Sequence, residues 1–185
     1  MGSISPPRAL IGTKPDRNVE VVETRSPDQI GAVASLVREF VAWARVRHGE
    51  KAWAVDLYFD RAELEAELAT LGERYAPPHG ALLLALVDGE PAACVVLDRL
   101  DKGICRMRRM FVRESVQGLG IGRRLATSLI ALARDRGYRT MRLETSIYLH
   151  EAQALYRSLG FRTIPPYIDM PEALRPLSVF MELEL

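Results

Sequence analysis

The most informative segment of the sequence is Val112-Arg-Glu-Ser-Val-Gln117-Gly118-Leu119-Gly120-Ile121-Gly122-Arg123-Arg124. It follows a predicted strand from Ile104 to Val112 and opens a predicted amphipathic helix from Gly120 to Arg136. Three glycines at alternate positions would let backbone N–H groups turn toward a ligand without obstruction by a Cβ atom. The start of a helix adds unpaired donors and about half a positive charge. We therefore predict a phosphate-binding site at this turn.

Two common phosphate-binding patterns do not fit this stretch. The dinucleotide pattern Gly-x-Gly-x-x-Gly would need a third glycine where Arg123 stands, and the Gly-Lys-Ser/Thr of a P-loop does not follow. A plain tight turn remains the alternative to a phosphate site.

On either side of this segment, the hydrophobic pattern predicts a mixed α/β (α+β) fold with a mostly antiparallel sheet flanked by helices. Residues 1–18 are rich in Gly, Ser and Pro and are predicted to form a disordered N-terminal tail, and residues 19–185 a single domain. The predicted strands are 19–24, 81–87, 92–97, 104–112, 140–144, 162–164 and 178–185, and the predicted helices are 26–49, 60–73, 120–136 and 151–159.

The strand from Ile104 to Val112 changes phase along its length. Cys105 and Met107 are apolar at odd positions, whereas Met110 and Val112 are apolar at even positions. Because a period of two cannot slip without an extra residue, we predict a β-bulge near 108–110. A strand buried on both faces is the alternative explanation.

The 185-residue chain has 25 basic and 24 acidic residues, a net charge of +1. This balance excludes a uniformly basic nucleic-acid protein and a uniformly acidic disordered one. Between Arg106 and Arg142, however, ten arginines face only two acids. Such a block indicates an anionic ligand, a solvated helix face or a nucleic acid. Because its arginines fall on a strand, a loop and a helix, nucleic-acid binding is not favoured.

The two cysteines, Cys94 and Cys105, and the absence of a signal peptide or of an apolar run of about 20 residues predict a cytoplasmic protein with no membrane contact. The three histidines lack the spacing of metal ligands, so we expect no metal.

Two motifs carry a resemblance to a known family. Gln117-x-x-Gly120-x-Gly122 resembles the Gln/Arg-x-x-Gly-x-Gly/Ala signature of the GCN5-related N-acetyltransferases (GNAT), and Leu155-Tyr156-x-x-x-Gly160-Phe161 is similar to a second segment of that family. The resemblance implies a GNAT-like acyl-CoA N-acyltransferase fold. It also implies an acetyltransferase that uses acetyl-CoA as cosubstrate and acts on a small-molecule or peptide amine by direct attack in a ternary complex, and it leaves a homodimer open.

The resemblance also implies roles for individual residues. Tyr156 would be catalytic and protonate the departing thiolate. A free N–H at the bulge would polarise the acetyl carbonyl. The residues implied in binding coenzyme A are Met110, Phe111 and Val112 along the pantetheine arm, and Gln117, Gly118, Leu119, Gly120, Ile121, Gly122 and Arg123 around the pyrophosphate.

The chain departs from the family pattern at two positions. Leu149 stands where many members have a cofactor-binding Asn, and Arg106 stands where related members have a Glu. Glu144 is then the candidate base, with a salt-bridged or solvated acid as the alternative. The departures leave open an acyl-CoA-binding module of the same fold without turnover. The family's acceptor wall would include Trp43, Trp53, Tyr58 and Phe59, which are core residues in the alternative interpretation.

Overall fold

A seven-stranded sheet with the order β1-β2-β3-β4-β5-β7-β6 organises the protein. The computed structural model describes residues 17–185; the predicted tail at 1–18 lies outside them except for its last two residues. Strands β4 and β5 are parallel, and the other neighbours are antiparallel. The predicted fold class is thereby confirmed. The strands are β1 Val19–Glu23, β2 Ala81–Val87, β3 Glu90–Asp101, β4 Ile104–Val112, β5 Thr140–Ser146, β6 Arg162–Ile164 and β7 Ser178–Glu184.

Helices cover both faces of the sheet. Leu125 and Leu129 of α5 belong to the core on one face, and Leu36 of α1 belongs to the core on the other. In β2, Leu83 points into the first core and Leu84 into the second, so the strand is buried on both sides, as its continuous apolar run predicts. The helices are α1 Pro27–His48, α2 Ala52–Tyr58, α3 Arg61–Ala69, α4 Leu71–Arg74, α5 Ile121–Asp135 and α6 His150–Ser158.

The helical segment between β1 and β2 differs from the prediction. Helix α2 was not predicted, and the helix predicted from Asp60 to Glu73 is divided into α3 and α4 at Thr70. Asp60 does cap α3, since its side chain accepts the N–H groups of Ala62 and Glu63. The Thr70 hydroxyl donates to the Ala66 carbonyl at 3.1 Å, a local bond that competes with continuation of the helix.

No helix within residues 17–185 is long and apolar enough to cross a membrane.

Candidate active site

The predicted bulge is present in β4. Cys94 of β3 pairs with Phe111 and Val96 pairs with Arg108, so two residues of β4, Arg109 and Met110, lie opposite the single residue between them. Arg109 adopts the left-handed conformation, with φ +53°. A non-glycine residue held in this region needs support from its surroundings.

That support comes from Glu67 of α3. The Arg109 Nε and Nη2 atoms donate to the two carboxylate oxygens of Glu67 at 3.1 and 2.7 Å, and both side chains are 7% exposed. The guanidinium also lies 4.7 Å from the centre of the Phe59 ring. Burial opposes ionisation of Glu67, but the hydrogen bonds and charge of Arg109 prevail and lower its pKa from 4.5 to about 2. A buried ion pair therefore fixes the backbone at the bulge.

From Met107 onward, β4 and β5 separate. Their pairing covers Ile104–Arg106 against Thr140–Arg142, and within the described chain no strand pairs with residues 107–112 on the β5 side. A cavity of about 130 Å³ lies in this gap. Residues from both sides of the sheet line it, including Tyr58, Arg108, Met110, Glu144, Tyr156 and Leu177. The gap therefore exposes backbone of β4 to a ligand.

Tyr156, the predicted catalytic residue, lies at this cavity. Its ring is buried against Phe161, and its hydroxyl lies 3.6 Å from the Met110 sulfur. Burial, and then the charge of Glu144, raise the pKa of Tyr156 well above its usual 10. The phenol consequently keeps its proton at neutral pH and can act as a donor.

Glu144 is a buried carboxylate, with its side chain 5% exposed. One oxygen accepts a hydrogen bond from Tyr58 at 2.8 Å, the other accepts one from Tyr167 at 2.5 Å, and Arg106 lies at 3.5 Å. The sequence left a salt-bridged or a solvated acid as the alternatives to Glu144 as a base. In the structure Glu144 is salt-bridged to Arg106 and is not solvated. Sequence reasoning did not identify Tyr167, because nothing in the sequence around it indicates a contact 23 residues away.

The glycine turn presents free backbone donors. Gly118 and Gly120 have φ values of +80° and +72°, which favour glycine. Among residues 17–185, no acceptor is present for the N–H groups of residues 118–123. A Cβ on Gly122 would lie 3.4 Å from the Met110 methyl and 3.5 Å from Leu155, so the turn packs directly against the cavity wall. A Cβ on Gly120 would meet nothing within 4 Å, so open space lies beside the donors.

The other predicted binding residues lie on β4 and at the start of α5. Val112 packs with Met110 against the core on the α5 face of the sheet, whereas the Phe111 side chain is buried against Phe40 and Trp43, leaving only its backbone for a ligand. Arg123 lies at the start of α5 and donates to Ser158 at 2.7 Å. Leu149 lines the cavity as an apolar residue.

The predicted acceptor wall is divided. Tyr58 and Phe59 line the cavity, whereas Trp43 donates to Glu114 and Trp53 is 43% exposed on α2. Two of the four aromatic residues therefore belong to the site.

The arginine block is largely neutralised by acids from elsewhere in the chain. Arg113 donates to both oxygens of Glu39 and to the Pro91 carbonyl. Other pairs of the block are Arg106 and Arg108 with Asp98, Arg109 with Glu67, Arg136 with Glu23 and Arg142 with Glu182. Six of the ten arginines of the block are thus held in ion pairs.

Known proteins resemble this chain in sequence and in structure. The acetyltransferase (GNAT) family model matches residues 43–161. The chain is 31% identical over 170 residues to an uncharacterized N-acetyltransferase of Schizosaccharomyces pombe, covering 91% of this chain and 96% of that protein. It is 35% identical over 132 residues to an IAA acetyltransferase of Azospirillum brasilense, covering 70% and 82% of the two chains.

Among solved structures, the PaiA N-acetyltransferase of Thermoplasma acidophilum in complex with coenzyme A superposes with a TM-score of 0.67. The match covers 91% of this chain and 99% of that one at 15% identity, which supports the fold. Since the family model matches more than half of the chain and the first relative spans almost all of it, the protein belongs to the GNAT family of acetyltransferases.

Proposed function

We propose that this protein transfers the acetyl group of acetyl-CoA to a primary amine by direct attack within a ternary complex. One observation carries the proposal. The gap between β4 and β5 opens onto a cavity that contains the Tyr156 side chain and the bulge, and the glycine turn packs against the Met110 wall of that cavity. A phosphate site, an exposed strand edge and a proton donor are therefore adjacent.

The residues fit the binding of coenzyme A. The free N–H groups of residues 118–123, at the positive end of α5, suit a pyrophosphate, with Gln117 and Arg123 beside them. The unpaired side of Met110, Phe111 and Val112 would hydrogen-bond the amides of the pantetheine arm as an added strand.

The chemistry follows from the groups around the cavity. Acetyl-CoA supplies an activated acetyl group, and the amine nitrogen forms the C–N bond as the C–S bond breaks. A backbone N–H at the bulge stabilises the negative charge that develops on the carbonyl oxygen. Tyr156 gives its proton to the leaving thiolate, because its hydroxyl lies in the cavity where the sulfur would leave.

A buried carboxylate can take the proton that the amine loses. Tyr58 lines the cavity and donates to Glu144. Its hydroxyl can accept the amine's proton while passing its own to Glu144. The proton then returns to the Tyr156 phenolate through solvent, so that charge and atoms balance.

Two measurements on the same protein test the proposal. Acetyl-CoA should raise the melting temperature of the wild-type chain, and free thiol should appear when a panel of amines is added. Tyr156→Phe should keep the melting shift and lose most of the thiol release. A shift without any thiol release would favour the acyl-CoA-binding module, and the absence of a shift would contradict both functions.

A further inference from the structure

Arg108 is a buried arginine that uses only one of its three nitrogens. Its Nη1 donates to the Tyr75 hydroxyl at 3.1 Å and lies 3.4 Å from an oxygen of Asp98. Within residues 17–185, Nε and Nη2 have no hydrogen-bond partner, and Nε is fully buried. The Arg108 side chain is 12% exposed, and Nη2, unlike Nε, is not fully buried, so the edge is open at Nη2.

The neighbouring arginines differ from Arg108 in how many of their nitrogens are paired, although within residues 17–185 Arg106 also has a buried Nε without a partner. Arg109 presents the same Nε–Nη2 edge and fills it with both oxygens of Glu67. Arg106 binds Asp98 at 2.7 Å and lies 3.5 Å from Glu144. Because Arg106 lies closer to Asp98 than Arg108 does, at 2.7 Å against 3.4 Å, that carboxylate compensates the charge of Arg108 only partly.

An unsatisfied buried guanidinium edge is costly unless a ligand completes it. Leaving a buried donor without a partner costs about 1–3 kcal/mol, and more for a charged group. The Nε–Nη2 edge matches the two oxygens of a carboxylate in a planar fork. Arg108 lines the same cavity as Tyr156 and Glu144, so such a ligand would lie beside the proposed reaction centre.

We propose that the acceptor carries a carboxylate as well as its amine, and that Arg108 binds this carboxylate. The acceptor is then a small amino acid whose carboxylate meets the Nε–Nη2 edge while its amine faces Tyr58 and Glu144. The opposite charges of Arg108 and Glu144 in one cavity match the two charged ends of such a molecule. The ammonium end gives one proton to solvent before the neutral amine attacks, and Glu144 receives the second through Tyr58. This inference rests on the proposed acetyl transfer and names its substrate class.

The test compares each amino acid with its carboxamide, which keeps the amine and lacks the carboxylate. The acceptors are the twenty L-amino acids and a series from glycine to 5-aminopentanoate, each assayed beside its carboxamide. Thiol release is measured at saturating acetyl-CoA for the wild type, Arg108→Lys and Arg108→Gln. Arg38→Gln is the matched control, since Arg38 forms an exposed ion pair with Glu65 on the helical surface.

For the wild type we expect kcat/KM to favour the best amino acid over its carboxamide by at least about thirtyfold, or about 2 kcal/mol at 1.4 kcal/mol per tenfold. Both Arg108 variants should lose this preference, including Arg108→Lys, which keeps the charge but loses the fork. The melting shift with acetyl-CoA should persist in both variants, so that loss of the preference is distinguished from loss of folding or of cosubstrate binding. Arg38→Gln should behave as the wild type.

The other outcomes separate the two levels of the proposal. Equal rates on acids and carboxamides, or a preference that survives in Arg108→Lys, would overturn the carboxylate site and leave acetyl transfer standing. Acetylation of none of the amino acids would also overturn it. Failure of acetyl-CoA to shift the melting temperature of the wild type would overturn the proposed function itself.

Discussion

The substitution Glu67→Gln removes the charge that holds Arg109 at the bulge of β4. Glu67 binds Arg109 through both oxygens and also accepts the Tyr75 hydroxyl at 2.9 Å. The amide keeps the shape of the side chain but cannot accept at both positions. It leaves the Arg109 guanidinium, 7% exposed, without a counter-charge.

The size of the effect follows from the pKa of Glu67. A pKa of about 2 against an ordinary 4.5 corresponds to roughly 3 kcal/mol at about 1.36 kcal/mol per pH unit. Breaking a buried ion pair by removing one partner typically costs about 3–5 kcal/mol. We therefore expect the free energy of unfolding of Glu67→Gln to fall by about 3 kcal/mol at pH 7.

The pH dependence gives the prediction its sign. Because folding lowers the pKa of Glu67, its contribution is complete above pH 4.5 and is lost as pH falls through 4.5 toward about 2. The difference between the wild type and Glu67→Gln should accordingly shrink as the solution is acidified. Since Glu67→Gln also removes the support of the bulge, the kcat of this variant should be lower than that of the wild type.

Urea unfolding at a series of pH values from 7 to 3 measures this difference. Glu65→Gln is the control, because Glu65 lies on the same helix but forms an exposed ion pair with Arg38 at 2.7 Å. It should unfold like the wild type at pH 7. A Glu67→Gln variant as stable as the wild type at pH 7, or a difference that stayed constant on acidification, would contradict stabilisation by the Glu67–Arg109 pair.

Three other predictions concern the site and its assay. In Tyr156→Phe, kcat should fall by about a hundredfold or more, the range for a positioned acid, with the dissociation constant of acetyl-CoA unchanged; an unchanged kcat would remove the phenol from the mechanism. Gly120→Ala should weaken acetyl-CoA binding measured by calorimetry, and it should lower the free energy of unfolding by about 1–2 kcal/mol because φ is +72°. The control is Gly31→Ala, inside α1 with open space at its Cβ, which should slightly stabilise the fold without changing binding. Cys94 and Cys105 are fully buried, and burial raises the pKa of each thiol to about 12, so a disulfide reagent should detect both only after unfolding; rapid reaction in the native state would contradict this burial.

Local patterns predicted the parts of the fold whose causes are local. The phase change between Met107 and Met110 indicated the bulge, and the three glycines indicated the turn with free N–H groups. Helix α2 has no such signal, since its seven residues carry no side-chain cap and follow α1 after a short turn at Gly49–Lys51. Its position is set by tertiary contacts with α1.

The supports of the site come from distant parts of the chain. Glu67 and Arg109 are 42 residues apart, and Arg113 finds Glu39 at a separation of 74. Charge counting identified the arginine block but could not assign its partners, because opposite charges pair across the fold. The same limit hid the Tyr167–Glu144 contact and the incomplete pairing of Arg108.

Amide hydrogen exchange with and without acetyl-CoA tests most directly whether the glycine turn and the open edge of β4 form the binding site. We predict slower exchange at residues 118–123, whose N–H groups have no acceptor within the described chain, and at residues 110–112 beside the gap. Saturating acetyl-CoA that left both segments unprotected, or that protected a different part of the sheet, would contradict this placement.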